Sequence, residues 1–182
     1  ISGMINHRGF THSVFVLTGV SALLTAVMRR FWPSPNYGGI RLFLMLWLVF
    51  ITHPILDAFT AYGTQLFWPL RPTPASWSSL FIIDPFFTLP LVGAFLVGLV
   101  AGYTPRTHRF LAGALAWCAA YLVLAVMAKS VVEQRVHDQL ARQGITPVAM
   151  FSTPEPFNIA LWRVVARTPD DHYVEAIASV LD

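Results

Sequence analysis

Apolar residues dominate four stretches of the chain, residues 13–28, 41–60, 85–102 and 107–128, and each stretch stops where arginine, glycine or proline enters. A membrane-spanning helix needs about 20 largely apolar residues, with roughly 17 as the lower limit. The last three stretches reach that length; the first is marginal, closed by Arg29, Arg30 and Pro33. Tyr37-Gly38-Gly39 predicts the turn before the second span. The connection over residues 61–84 is broken by Trp68, Pro69, Pro72, Pro74 and Trp77, and its aromatic content predicts an interfacial loop along the membrane surface.

After Ala128 the pattern turns polar. The fourth span is expected to continue as a helix over residues 129–143, stopped by Gly144 with Pro147 beyond it. Residues 158–167 and 172–178 alternate as short strands around the turn Thr168-Pro169-Asp170-Asp171. About forty residues cannot build an independent core, so the tail either packs on the preceding part or continues past Asp182. The expected architecture is an all-α polytopic membrane bundle of about four transmembrane helices with a small C-terminal α+β or β-rich extramembrane tail. Its expected parts are residues 1–128, a helical extension 129–143 and a truncated domain 144–182. Because the chain opens on Ile1 without a leader pattern, it reads as a piece of a longer protein.

Composition agrees. Of 182 residues, 55% are hydrophobic and 12% charged, where soluble domains carry about 25% charged residues. Up to Val132 the only acids are Asp57 and Asp84; the other seven lie between Glu133 and Asp182. The net charge of +3 comes from arginines at the ends of apolar runs rather than from one basic face, which argues against nucleic acid as a partner. A single cysteine, Cys118, permits no intrachain disulfide and no cysteine-based zinc site. Arg29, Arg30, Arg41, Arg106 and Arg109 outnumber Arg8 and Arg71 in the short loops, so the former side is expected inside. Residues 1–12, 61–84 and 129–182 are then outside.

An ionisable group within a span costs about 2.5 to 3.5 kcal/mol at the bilayer centre, so each needs a reason. His53 and Asp57 stand four apart, on one face of the second span near its outer end, with Pro54 between them. His7 and His12 precede the first span on the same expected side, and Gly9 offers a break that lets both converge. Asp84 opens the third span. Imidazoles and carboxylates hold zinc or a similar divalent ion. The same residues also have structural readings. His53 and Asp57 fit an interhelical hydrogen-bonding pair, Asp84 before Pro85 fits an N-cap, Thr11 and Ser13 fit caps of the first span, and Arg8 fits a headgroup anchor. His108, His137 and His172 have no ligand-spaced partner on the expected outer side.

Taken together, His7-Arg-Gly-Phe-Thr-His-Ser13, His53-Pro-Ile-Leu-Asp-Ala-Phe-Thr-Ala-Tyr-Gly-Thr64, Trp68-Pro69 and Ile83-Asp-Pro-Phe-Phe-Thr88 resemble the YdjM-like membrane-bound metal-dependent hydrolases, a bacterial inner-membrane family. The resemblance covers most of residues 6–90, keeps the motif order, and extends weakly over residues 153–162. It implies that His7, His12, His53 and Asp57 are metal ligands or their near neighbours, with Asp84 contributing to the same polar site. The family's upstream apolar segment and its Pro-Asp-x-Asp element would precede Ile1.

The expected function is therefore hydrolysis of an ester or phosphoester in an amphiphilic, lipid-like substrate at a zinc-type site on the outer (periplasmic) face of a bacterial inner membrane. Asp84 or Asp57 would orient or deprotonate the attacking water, and Arg8 would neutralise a phosphate. The HExxH, Walker A and GxGxxG signatures are absent, so zincin, P-loop and Rossmann chemistry have no support. Two other readings compete: a metal-free transporter or proton relay through His53 and Asp57, and a non-catalytic membrane scaffold.

Overall fold

The computed structural model describes residues 9–33, 36–70, 72–102 and 104–181. The chain divides into two compact units, residues 1–77 and 78–182. In the first, a 3-10 turn at Phe10–His12 leads into helix α1 (Val14–Phe31), which packs against α2 (Gly39–Ala58). In the second, α3 (Pro85–Ala101) packs against the long α4 (Pro105–Arg142), followed by strands β1 (Ala149–Pro154), β2 (Leu161–Arg167) and β3 (Tyr173–Ser179). Helices α1, α2 and α4 are long and apolar enough to cross a membrane; α3, at 17 residues, sits at the lower limit.

Helix α1 starts at Ser13, whose hydroxyl accepts from Val16 N, and ends with Arg29 and Arg30 against the negative end of its dipole. Its hydroxyls at Thr18, Ser21 and Thr25 each donate to a carbonyl one turn back, which satisfies them where water is absent. Trp47 Nε1 donates to Thr18 Oγ1 at 2.9 Å and ties α2 to α1. Such a bond is worth about 0.6 kcal/mol in a membrane, enough to favour one register between two apolar helices. Leu23, Met45, Leu48 and Val49 point outward, as lipid-facing positions should.

The 61–84 connection is structured rather than open in its first part. Thr64 and Ala75 form an isolated antiparallel bridge with both N–H···O distances at 2.8 Å. Trp77 N donates to Ala58 O at 2.7 Å, which returns the loop to the end of α2.

In the second unit, Pro105 at the first turn of α4 and a reciprocal Thr104–Thr107 capping box start the helix. It runs without interruption from its apolar part into its polar part, as the sequence predicts, and ends before Gly144, whose φ of +75° is the left-handed conformation of a helix stop. Ala128, Val132, Val136 and Leu140 fall four apart and form one buried stripe on the extension. Against it lie Trp162, Val164 and Ala166, the inward positions of β2. The sheet is antiparallel in the order β1-β2-β3, with Val164 paired to Ser152 on one side and Ala176 on the other.

The tail therefore obtains its core by packing on α4. Ser152 Oγ donates to Glu133 at 2.5 Å, Glu133 pairs with Lys129 at 3.6 Å, and Arg135 donates to the carbonyls of Ser179 and Val180. The sequence predicts two strands here and the structure has three. Residues 149–154, with Ser152, Thr153 and Pro154, show too little apolar alternation to read as a strand, and β1 forms because β2 supplies its ladder.

Candidate functional site

The first unit brings together His12, His53 and Asp57. One potential ligand atom from each lies within 4.8 Å of the others. Two of them share a helix face: His53 and Asp57 are one turn apart in the last two turns of α2. Pro54, between them, is buried and continues the helix to Ala58. The end of α2 is held below Asp57, because the Asp57 carbonyl accepts from Thr60 N at 3.0 Å and from Thr60 Oγ1 at 2.7 Å.

The third member arrives from the 3-10 turn that precedes α1. His12 closes the 3-10 turn, with its N–H donating to Gly9 O at 3.2 Å. Ser13 next to it is fully buried and donates to Trp68 O at 2.6 Å, while Val14 N donates to Leu66 O at 2.9 Å. The carbonyls of Leu66 and Trp68 thus form a ledge that fixes the entry to α1 and, with it, His12. His12 Nε2 stands 3.2 Å from Asp57 Oδ2, and Nδ1 is 2.8 Å from Thr11 Oγ1. The His12 and His53 rings lie 5.2 Å apart, tilted by 45°. His12 and Asp57 are largely buried, with 13% and 17% of their side chains exposed; His53 is exposed. One member of the group is thus reachable from outside.

This donor set suits a divalent ion. Two ligands of a tetrahedral zinc, each at about 2.0 to 2.1 Å, lie roughly 3.3 Å apart, and the His12–Asp57 separation is already 3.2 Å. The widest separation allowed in the group is 4.8 Å, so about 1.5 Å of closure, within the reach of a side-chain rotation, completes such a set. Among the described residues the group offers three ligand atoms, two from imidazole and one from carboxylate.

The other sequence candidates fare differently. His7 and Arg8 lie outside the described residues. Asp84 belongs to the second unit, where it is 1% exposed and both oxygens are engaged. Oδ1 accepts from Phe86 N at 2.9 Å and Phe87 N at 3.3 Å; Oδ2 accepts from Tyr121 O–H at 2.8 Å. Asp84 is the N-cap of α3, the structural role that aspartate before proline predicts. Trp117 Nε1 and Cys118 Sγ also meet the first turn of α3, at the carbonyls of Phe86 and Phe87. Ser13 caps α1 as its position predicts. Thr11 does not read as a partner of His12 from sequence, since a hydroxyl beside a helix start has the same pattern as a cap.

Exposed aromatic side chains surround this end of the unit. Phe10 packs edge-on against Trp68 at 5.4 Å, and Phe15 meets Phe67 at 6.5 Å. Phe10, Phe15 and Phe67 are each about half exposed, and Leu70 is 72% exposed.

Comparison with known proteins adds family information. A family model described as YdjM inner membrane protein matches residues 1–132. The chain is also similar to the uncharacterized protein YfhP of Bacillus subtilis (strain 168), at 30% identity over 177 residues covering 93% of this chain and 49% of YfhP. It thus spans about half the length of that relative. No solved structure matches it.

Proposed function

The chain belongs to the YdjM inner membrane protein family, and on that premise we propose that it is a metal-dependent hydrolase of the bacterial inner membrane, with His12, His53 and Asp57 holding a divalent ion, zinc by preference. The observation that carries this reading is the convergence of the three ligand atoms from two separate elements to within 4.8 Å of one another. Zinc accords with a mixed imidazole and carboxylate set. When bound, the ion supplies Lewis-acid polarisation of an ester or phosphoester.

The chain's own residues do the rest. The Leu66–Trp68 ledge sets the position of His12, and the Thr60 cap sets that of Asp57. Arg8, close in sequence to His12, is assigned the neutralisation of a substrate phosphate, for which guanidinium geometry is suited. The substrate is amphiphilic. Exposed aromatic groups at the end of membrane spans favour the interface between headgroups and acyl chains, and Phe10, Phe15, Phe67 and Leu70 give this end of the unit such a rim. The arginines at the opposite end, Arg29, Arg30 and Arg41, support placing the site on the periplasmic side.

One observation favours a second reading. His12 and Asp57 at 3.2 Å also make a direct hydrogen-bonded pair, which a metal-free proton relay would use. A panel of ester and phosphoester lipids in mixed micelles, assayed with and without a chelator, separates the two. The hydrolase reading expects turnover that the chelator and His53→Ala both abolish. Chelator-insensitive turnover contradicts the metal role, a protein with neither metal nor turnover supports the relay, and metal binding without turnover supports a scaffold.

A further inference from the structure

Both ring nitrogens of His12 have neighbours. Nδ1 lies 2.8 Å from Thr11 Oγ1, and Nε2 lies 3.2 Å from Asp57 Oδ2. A neutral imidazole carries a single N–H, and the partner of one nitrogen decides what the other presents. A threonine hydroxyl can donate or accept, so two arrangements exist. If Thr11 donates, Nδ1 is the acceptor and Nε2–H points at Asp57, which closes His12 and Asp57 into a hydrogen-bonded pair. If Thr11 accepts from Nδ1–H, then Nε2 turns a lone pair toward the Asp57 carboxylate. Two lone pairs facing each other at this distance repel unless a cation lies between them. Their separation matches two ligands of one tetrahedral ion, about 3.3 Å.

We infer that Thr11 is the positioning residue of the site: its hydroxyl accepts from His12 Nδ1–H and so reserves Nε2 as the ligand atom. The inference rests on the reading of His12 as a metal ligand. The backbone on both sides of His12 is already pinned, by His12 N to Gly9 O, Ser13 Oγ to Trp68 O and Val14 N to Leu66 O. The orientation and tautomer of the ring depend on what its nitrogens meet, and the Thr11 hydroxyl meets Nδ1. Partners of this kind, bonded to the far nitrogen of a ligating histidine, typically change metal affinity 10- to 100-fold when removed. Thr11 is itself exposed, so replacing it opens no cavity.

The test compares wild type, Thr11→Val and Thr11→Ser, purified in one detergent, by competitive zinc titration, cobalt d–d absorption and 15N NMR of labelled histidine. Valine keeps the shape and removes the hydroxyl; serine restores it. The expected result is zinc affinity about 10- to 100-fold weaker in Thr11→Val and near wild type in Thr11→Ser. The histidine spectrum of the zinc-loaded wild type should show His12 protonated at Nδ1, with that Nδ1 resonance shifted in Thr11→Val, which lacks the hydroxyl acceptor, and restored in Thr11→Ser. Equal affinities in wild type and Thr11→Val, or a wild-type His12 that carries its proton on Nε2 with metal bound, overturns the role of Thr11 alone. Wild type that binds no zinc overturns the metal site and this inference with it. Thermal unfolding without metal should be the same in all three proteins, and the wild-type NMR result decides the tautomer without any variant.

Discussion

Asp57→Asn separates the possible roles of the aspartate most sharply, because it removes charge while keeping volume and hydrogen-bonding capacity. The backbone carbonyl of Asp57, which takes both Thr60 bonds, is untouched, so the end of α2 keeps its cap. If the carboxylate only paired with His12 across 3.2 Å, the cost would be about 1 kcal/mol or less, since membrane hydrogen bonds average about 0.6. A ligand role predicts much more. A neutral amide oxygen is a poor partner for a divalent cation, and a loss of at least about 100-fold in affinity corresponds to about 2.8 kcal/mol. Competitive zinc titration in detergent reads this directly, and thermal unfolding reads it again through linkage. At a free zinc concentration of about 100 times the wild-type Kd, wild type gains about 2.7 kcal/mol and the variant should gain little. His12→Gln combined with Asp57→Asn should cost less than the sum of the single changes, because both act on one ion. Wild-type affinity in Asp57→Asn would refute the ligand assignment.

Other consequences reach the scaffold. Trp162→Ala, at a fully buried position facing Val132 and Val136, should destabilise the tail by about 3 to 5 kcal/mol, visible as rapid proteolysis after Arg142 with the apolar helices intact. Asp84→Ala removes the cap of α3 and leaves the Tyr121 hydroxyl without its partner; a loss of about 1 to 3 kcal/mol is expected by thermal unfolding. Ser13→Ala should weaken zinc binding as well as stability, by about 1 to 2 kcal/mol in stability, since it frees the entry to α1 from Trp68 O. In a Cys118→Ser background, Tyr62→Cys should react with a membrane-impermeant thiol reagent in intact cells and Asn36→Cys should not. The reverse pattern places the site in the cytoplasm.

The helical part was legible in the sequence because spans of this kind are written in length and punctuation. Arg29-Arg30, Gly38, Pro85, Pro105 and Gly144 lie within a few residues of the observed helix ends. The continuation of α4 into its polar part followed from the absence of any breaker up to Gly144. His53 and Asp57 share a face by spacing alone. His12 is a different case: nothing local fixes its direction, which depends on the Leu66 and Trp68 carbonyls more than fifty residues away. Thr11 was hidden for a similar reason, because cap and ligand-orienting hydroxyls look alike in one dimension. Strand β1 was missed because its partner, not its own pattern, makes it a strand. Asp84 was legible as a cap. Aspartate before proline reads as a helix cap, and its bonds to Phe86, Phe87 and Tyr121 give it that role.

The claim on which the rest depends is that His12, His53 and Asp57 bind a divalent ion. Elemental analysis of the detergent-purified protein, run beside a His12→Ala, His53→Ala double variant of the same helicity, tests it with the fewest assumptions. The account predicts about one zinc per wild-type chain, retained through gel filtration, and none in the double variant. Metal-free wild type that also takes up no zinc, cobalt or manganese on titration, or equal metal in both proteins, would contradict it.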